Sequence, residues 1–316
     1  MSFGVEFAII GRKMWRSLKD CGYGLTARLM SQCVARLPRK VALSIGASLA
    51  VTAFKLVSHE RELAHKHLAL SLDSRDTPEI EQLVRQCFQN LGKTLVEFMR
   101  LPGMSSKQIR QLVAFEGRGH IDRALARGNG AIILTGHFGN WELLAASIVA
   151  NGYPLRPLVR QLRSKRLDAL VSTYREKAGY PGINRDGAIR GALRCLKKNE
   201  LIGILADVDT KTDGVFVDFF GRPAYTPYGP VAIALKTGAT ILPTFIIRQP
   251  DDSLRAIVEP PLVLEQSGNK RQDLIANTQK FTKVIESYIS RYPEQWIWMH
   301  ERWKTQPQNP ANHFAD

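Results

Sequence analysis

His137 and Glu142, spaced H-x4-E in the stretch AIILTGHFGNWE (131–142), are the side chains whose types and spacing best suit proton transfer. Imidazole is the group whose ordinary pKa fits removal of a proton near neutral pH. A carboxylate on its far nitrogen fixes the tautomer and raises its basicity. The apolar, β-branched run from Ala131 to Leu134 has the length of a strand covered on both faces, and it breaks at Gly136. Asn140 is an N-cap for a following helix with Trp141, Leu143, Leu144, Ile148 and Val149 as its apolar positions. His137 then sits in the connection and Glu142 in the first helical turn. Gly136 and Gly139 let backbone approach a ligand closely, and N–H groups at the helix start favour developing negative charge. The same residues fit a plainer reading, a buried histidine hydrogen-bonded near a strand end and a glutamate offsetting the helix dipole. Spacing alone does not separate the two.

The rest of the chain must position that turn. At 316 residues and 44% hydrophobic content it can bury a sizeable core as one large α/β domain with a helical extension. PLRPLVR (154–160), GINR (182–185), LIGILAD (201–207), TILPTFIIR (240–248) and LRAIVEPPL (254–262) read as strands, separated by helical stretches at 164–178 and 188–198. A long helix is expected over 78–99 and another over 273–291. In 215–239, Phe216, Phe219 and Phe220 supply an apolar wall and Gly221 turns the chain. Thr226-Pro227 has the form of an N-cap and first helical residue, with Gly238 closing that helix. Together these describe a mixed, mostly parallel sheet flanked by helices.

A formal charge of +15 calls for an acidic partner, namely nucleic acid, an anionic membrane surface, an acidic carrier protein or a phosphorylated substrate. No aromatic-and-basic RNA signature, zinc-finger spacing or helix-turn-helix signal favours nucleic acid. The four cysteines are far apart and form no C-x2-C pair, which argues against a zinc site or disulfide framework. Asp207, Asp209, Asp213 and Asp218 lie at loop-ligand spacing, but the glycine and glutamate of a calcium loop are missing, with Thr212 and Asp218 in their places. The uncharged run VALSIGASLAVTAF is too short for a comfortable membrane span of about 20 residues. Residues 1–57 alternate apolar clusters with basic residues, which suits helices in the membrane interface and equally a basic hairpin packed on the domain. The expected division is 1–57 as that helical region, 58–305 as the main domain and 306–316 as a disordered tail.

GHFGNWELLA (136–145) resembles the first motif of the bacterial lipid A late acyltransferases, the lauroyl and myristoyl transferase family within the lysophospholipid acyltransferase superfamily. The similarity runs from about residue 60 to residue 305 and includes VFVDFFGRPAYTPYGPVAIALKTGA (215–239) and RYPEQWIWMHERWKT (291–305). The resemblance implies that His137, oriented by Glu142, takes the proton from an acceptor hydroxyl, which attacks an acyl thioester of acyl carrier protein or coenzyme A. N–H groups around Gly139 and Asn140 would then stabilise the oxyanion. Matching by position gives Arg160, Arg175 and Arg185 as arginines lining the substrate site, with Asp207 as the acidic third motif at its edge and Phe219 and Gly221 beside an acyl slot. It implies no cofactor, a lipid A precursor as acceptor, with a lysophospholipid or another hydroxylated lipid left open, and a place on the cytoplasmic face of the inner membrane. Members of the family commonly carry an N-terminal membrane helix, from which this chain departs. Two other readings remain: an acyl-thioester hydrolase on the same fold, and a non-catalytic protein bound to anionic lipid. Trp296, Trp298 and His300 suit either the lipid headgroup level or a strand packed on the core.

Overall fold

The computed structural model describes residues 25–72, 77–162, 164–184, 187–210 and 212–307. The expectations for the basic residues before 25, for Arg185 and for the tail beyond 307 lie outside the described residues. In chain order the helices are α1 (25–36), α2 (Arg39–Leu56), α3 (Ser58–Ser71), α4 (Thr77–Arg100), α5 (Ser106–Leu112), α6 (Arg118–Leu125), α7 (Trp141–Ala150), α8 (Lys165–Lys177), α9 (Ala188–Lys197), α10 (Gly229–Thr237) and α11 (Lys270–Arg291). The strands are β1 (Val113–Glu116), β2 (Ala131–Thr135), β3 (Leu155–Val159), β4 (Ile183–Asn184), β5 (Leu201–Leu205), β6 (Gly214–Phe219), β7 (Arg222–Pro227), β8 (Thr240–Arg248) and β9 (Leu254–Val258).

Seven strands form one sheet in the order β1-β9-β8-β2-β5-β3-β4, and every pair is parallel except β8 with β9. The sheet is mixed, mostly parallel and flanked by helices, as the apolar runs require. β2 is buried at every position because both of its faces are covered. Its side chains alternate: Ile132 and Leu134 join a core with Phe281, Ile285 and Ile289 of α11, while Ala131 and Ile133 join a second core with Leu143, Leu144 and Ile148 of α7.

The boundary expected at residue 57 falls at Val57, the single residue between α2 and α3, where the chain bends by 96°. α2 packs directly along α4. A Cβ on Gly92 would lie 2.3 Å from the Gly46 carbonyl oxygen, so this crossing needs both glycines. The outward side of α2 exposes Val41, Ile45 and Leu49 at a spacing of four residues. Among the described residues no single helix is long and apolar enough to cross a membrane, although α2 and α3 pass that test as a bent pair by length and composition.

Several boundaries differ from expectation for identifiable reasons. Thr226 and Pro227 do not start a helix. They end β7, because the β6–β7 hairpin pairs as far as Gly214 with Pro227, and α10 begins only after Tyr228. β9 stops at Val258 because Pro260 and Pro261 lack the N–H a ladder needs. β1 was not anticipated; its four residues form a strand only through parallel pairing with β9. His67 of α3 faces inward. It is buried, with its Nδ1 2.9 Å from the Trp298 carbonyl oxygen.

Candidate active site

Two adjacent parallel strands build the centre of the site. β2 pairs with β5 so that Thr135 lies opposite Leu205, and Ala206 donates its N–H to the Thr135 carbonyl at 2.9 Å. Continuing that register two residues past each strand end brings His137 abreast of Asp207. The approach is close. A Cβ at Gly136 would sit 2.9 Å from the Asp207 Cγ, and one at Gly139 (φ +58°) would sit 2.0 Å from the Ile246 carbonyl oxygen.

The Asp207 side chain is fully buried and accepts three hydrogen bonds. His137 donates its backbone N–H to Oδ2 at 2.7 Å, Trp296 donates its indole Nε1–H to Oδ2 at 2.7 Å, and the His137 Nδ1 lies 2.9 Å from Oδ1. Burial alone would raise this carboxyl. The adjoining His137 imidazole and its hydrogen bond, together with His300 and the Trp296 indole, outweigh that and hold Asp207 well below the usual carboxylate range. An ionised carboxylate only accepts, so Nδ1 of His137 carries a proton, and in the neutral ring it is Nε2 that holds the lone pair. The His137 side chain is 24% exposed, so the ring is reachable from outside. This is the geometry of an oriented general base.

The orienting carboxylate is therefore Asp207 and not Glu142. Glu142 accepts from Arg175 through Nε at 3.1 Å and Nη2 at 2.5 Å, and from the Tyr180 hydroxyl at 3.0 Å. The reason is placement: residue 142 has entered α7 and faces α8, whereas the end of β5 comes alongside the turn itself. Tyr180, which sequence reasoning passed over, is driven well above its ordinary pKa by burial and by Glu142 and remains a donor.

The other expected residues divide. Asn140 caps α7, its Oδ1 accepting from Leu143 N–H at 3.0 Å, and its Nδ2 donates to Glu97 at 2.8 Å. It is fully buried, and the Gly139 N–H is already donated to the Gln295 carbonyl at 2.8 Å, so neither is placed as the expected oxyanion donor. Arg175 has its guanidinium fork taken up by Glu142. Arg160 stands exposed just past β3. Phe219 is buried in the core against Trp296 and Trp303 and does not line an open slot, and Gly221 occupies the exposed turn of the β6–β7 hairpin. Trp296 and Trp298 are buried, which settles their two readings in favour of core packing.

The segment after α11 completes the centre. Phe138 and Trp296 form an antiparallel bridge, and Ile297 donates to the His137 carbonyl at 3.2 Å. That segment carries His300, whose ring centroid lies 4.7 Å from that of His137. Burial and then the neighbouring His137 push His300 down to about 4, with Asp207 opposing. Between that value and the ordinary 6.5 the unfolded chain binds a proton that the folded chain refuses, so stability rises with pH across this window and is lost as pH falls through it. His67 is shifted in the same direction by burial. Melting temperature is expected to drop between pH 6.5 and 4, with His300 contributing up to about 3 kcal/mol. The fall should be shallower in His300→Gln; an identical slope in that variant would contradict the assignment.

Residues 21–305 match the model of the bacterial lipid A biosynthesis acyltransferase family. The chain belongs to that family. It is thus an acyltransferase, with an acyl donor and a lipid acceptor as its substrates. It is similar to a phosphatidylinositol mannoside acyltransferase of Mycobacterium tuberculosis, 29% identical over 248 residues that cover 77% of each chain. It is also similar to two Escherichia coli proteins at 25% identity. One is a lipid A biosynthesis palmitoleoyltransferase, covering 86% of this chain and 88% of the relative; the other is a lipid A biosynthesis lauroyltransferase, covering 89% and 91%.

Proposed function

We infer that this acyltransferase moves a fatty acyl group from a thioester of acyl carrier protein or coenzyme A to a hydroxyl of a lipid A precursor. The observation that carries the reading is the His137 ring held at Nδ1 by a buried, ionised Asp207, with Nε2 left to take a proton. The acceptor hydroxyl gives its proton to Nε2 as its oxygen attacks the thioester carbonyl. The tetrahedral adduct then expels the thiolate, which recovers the proton from the imidazolium. No G-x-S-x-G elbow is present in the chain, which favours direct transfer over a serine acyl-enzyme. Exposed Leu25, Leu29, Val41, Ile45 and Leu49 on α1 and α2, with the net positive charge, support a peripheral or monotopic seat on the cytoplasmic face of the inner membrane.

His137→Ala is expected to lower turnover by about 10² to 10⁴-fold, measured as acylated lipid formed from an acyl thioester. Unchanged turnover in that variant would remove the catalytic reading. A second acceptor class, a phosphorylated mannoside glycolipid, is favoured by the 29% identity to the mycobacterial relative against 25% to the lipid A enzymes. Mass spectrometry of lipids from cells with and without the gene separates the two, since only the true acceptor appears lacking one acyl group. Accumulation of free fatty acid with no acylated lipid would instead identify a hydrolase.

A further inference from the structure

Acyl transfer from a thioester passes through a tetrahedral adduct whose former carbonyl oxygen bears negative charge, and a preorganised donor aimed at that oxygen is usually a large contribution to rate. The two donors expected from the sequence are unavailable, because Gly139 N–H is bonded to Gln295 and Asn140 is fully buried. Beside Asp207 and the Trp141 ring at 5.3 Å, His300 packs on the base ring to ring at 4.7 Å and 60°. Its Nε2 is buried and has no hydrogen-bond partner, while Nδ1 is not among the buried partnerless atoms. A neutral imidazole carries one proton. Placing it on Nε2 would strand a donor in the interior, which costs more than leaving an acceptor lone pair there, so the proton belongs on Nδ1, the nitrogen that is not sealed in without a partner.

The geometry points to His300 as a second catalytic imidazole that donates a hydrogen bond from Nδ1 to the thioester carbonyl oxygen as it becomes an oxyanion, a role resting on His137 acting as the base. Burial and the His137 ring keep His300 neutral at working pH, so it competes with His137 for no proton and holds its N–H throughout. In the forward step the acceptor O–H bond breaks to His137 Nε2 and the new C–O bond forms. The carbonyl π pair moves to the oxygen facing His300, and its return expels the thiolate, which leaves as thiol with the proton from His137. His300 changes no protonation state.

The test uses the full chain in lipid vesicles, with whichever of lauroyl-coenzyme A and lauroyl-acyl carrier protein supports turnover, and release of free thiol as the readout. His300→Ala and His300→Phe are expected to lower kcat by about 10² to 10³-fold with little change in donor KM, and His300→Gln, which retains an N–H donor, to regain about tenfold or more. Turnover within about threefold of the unaltered protein in His300→Phe would overturn the donor role, as would equal losses in the Gln and Phe variants when both melt like the parent. In the unaltered protein, nitrogen NMR should show a neutral His300 protonated at Nδ1 at neutral pH. A doubly protonated ring, or a proton on Nε2, overturns the proposal without any variant. If His137→Ala is itself active, the underlying base assignment fails; if only the His300 variants are active, that assignment stands and this one falls.

Discussion

Asp207→Asn is expected to lower turnover by about 10³ to 10⁴-fold with the fold intact, an effect of the size seen when the carboxylate orienting a catalytic histidine becomes an amide. Asp207 accepts at both oxygens, and its Oδ2 serves two donors, His137 N–H and the Trp296 indole. The amide oxygen of asparagine is therefore held at that position, which turns its NH₂ toward His137 Nδ1. The imidazole must then accept at Nδ1 and carry its proton on Nε2, the nitrogen that has to be free. Glu142→Gln is expected to cost less, because glutamine keeps an acceptor for Arg175 and Tyr180 and leaves the imidazole tautomer alone. Steady-state kinetics on the two variants decides the matter. A larger loss at residue 142 than at 207 would return the orienting role to the H-x4-E glutamate.

The second large effect is on stability. Glu97 of α4, with its side chain 2% exposed, accepts from both Nη atoms of Arg248, 5% exposed, at 3.1 and 2.6 Å, and also pairs with Arg39 at the start of α2 and with Asn140. Glu97→Ala leaves the buried Arg248 guanidinium with only Asp252, 3.6 Å from Nη1, as counter-charge and strands the Asn140 amide, and is expected to cost about 3 kcal/mol in urea unfolding. Because Asn140 both caps α7 and bonds to Glu97, turnover should fall with stability. Replacing Glu97 and Arg248 together by methionine removes both charges and is expected to recover much of the loss. A cost below about 1 kcal/mol for Glu97→Ala would mean that Asp252 or water takes over the Arg248 charge and that Glu97 is not its essential partner.

What could be read from the sequence was local in origin. The β-branched run of β2 and the Asn140 cap each act within a few residues, and both stand as expected, whereas the glycines of the turn, expected to let a ligand approach, make room for Asp207 and the Ile246 carbonyl. The parallel sheet followed from apolar runs separated by helices. The pairing of His137 with Asp207 was not legible, because it depends on the register of two strands 70 residues apart, and the glutamate five positions on was the nearer candidate. The family resemblance had marked Asp207 for the pocket edge without giving its partner. Trp296 gave a usable sign in its alternation with Trp298 and His300, but alternation says only that one face is covered, not what the indole touches. Thr226-Pro227 misled because hairpin pairing overrode a strong local cap signature, and Thr226 instead accepts a hydrogen bond from the buried Arg302.

The bridge between Phe138 and Trp296 bears on biosynthesis. While the chain is still on the ribosome, the turn bearing His137 emerges long before the residues that close over it. Until Gln295 and Trp296 have been translated, the Gly139 amide has no carbonyl to bond and Asp207 lacks its indole donor. The centre is therefore incompletely assembled for most of synthesis, and a product halted by a premature stop before Gln295 is expected to be idle.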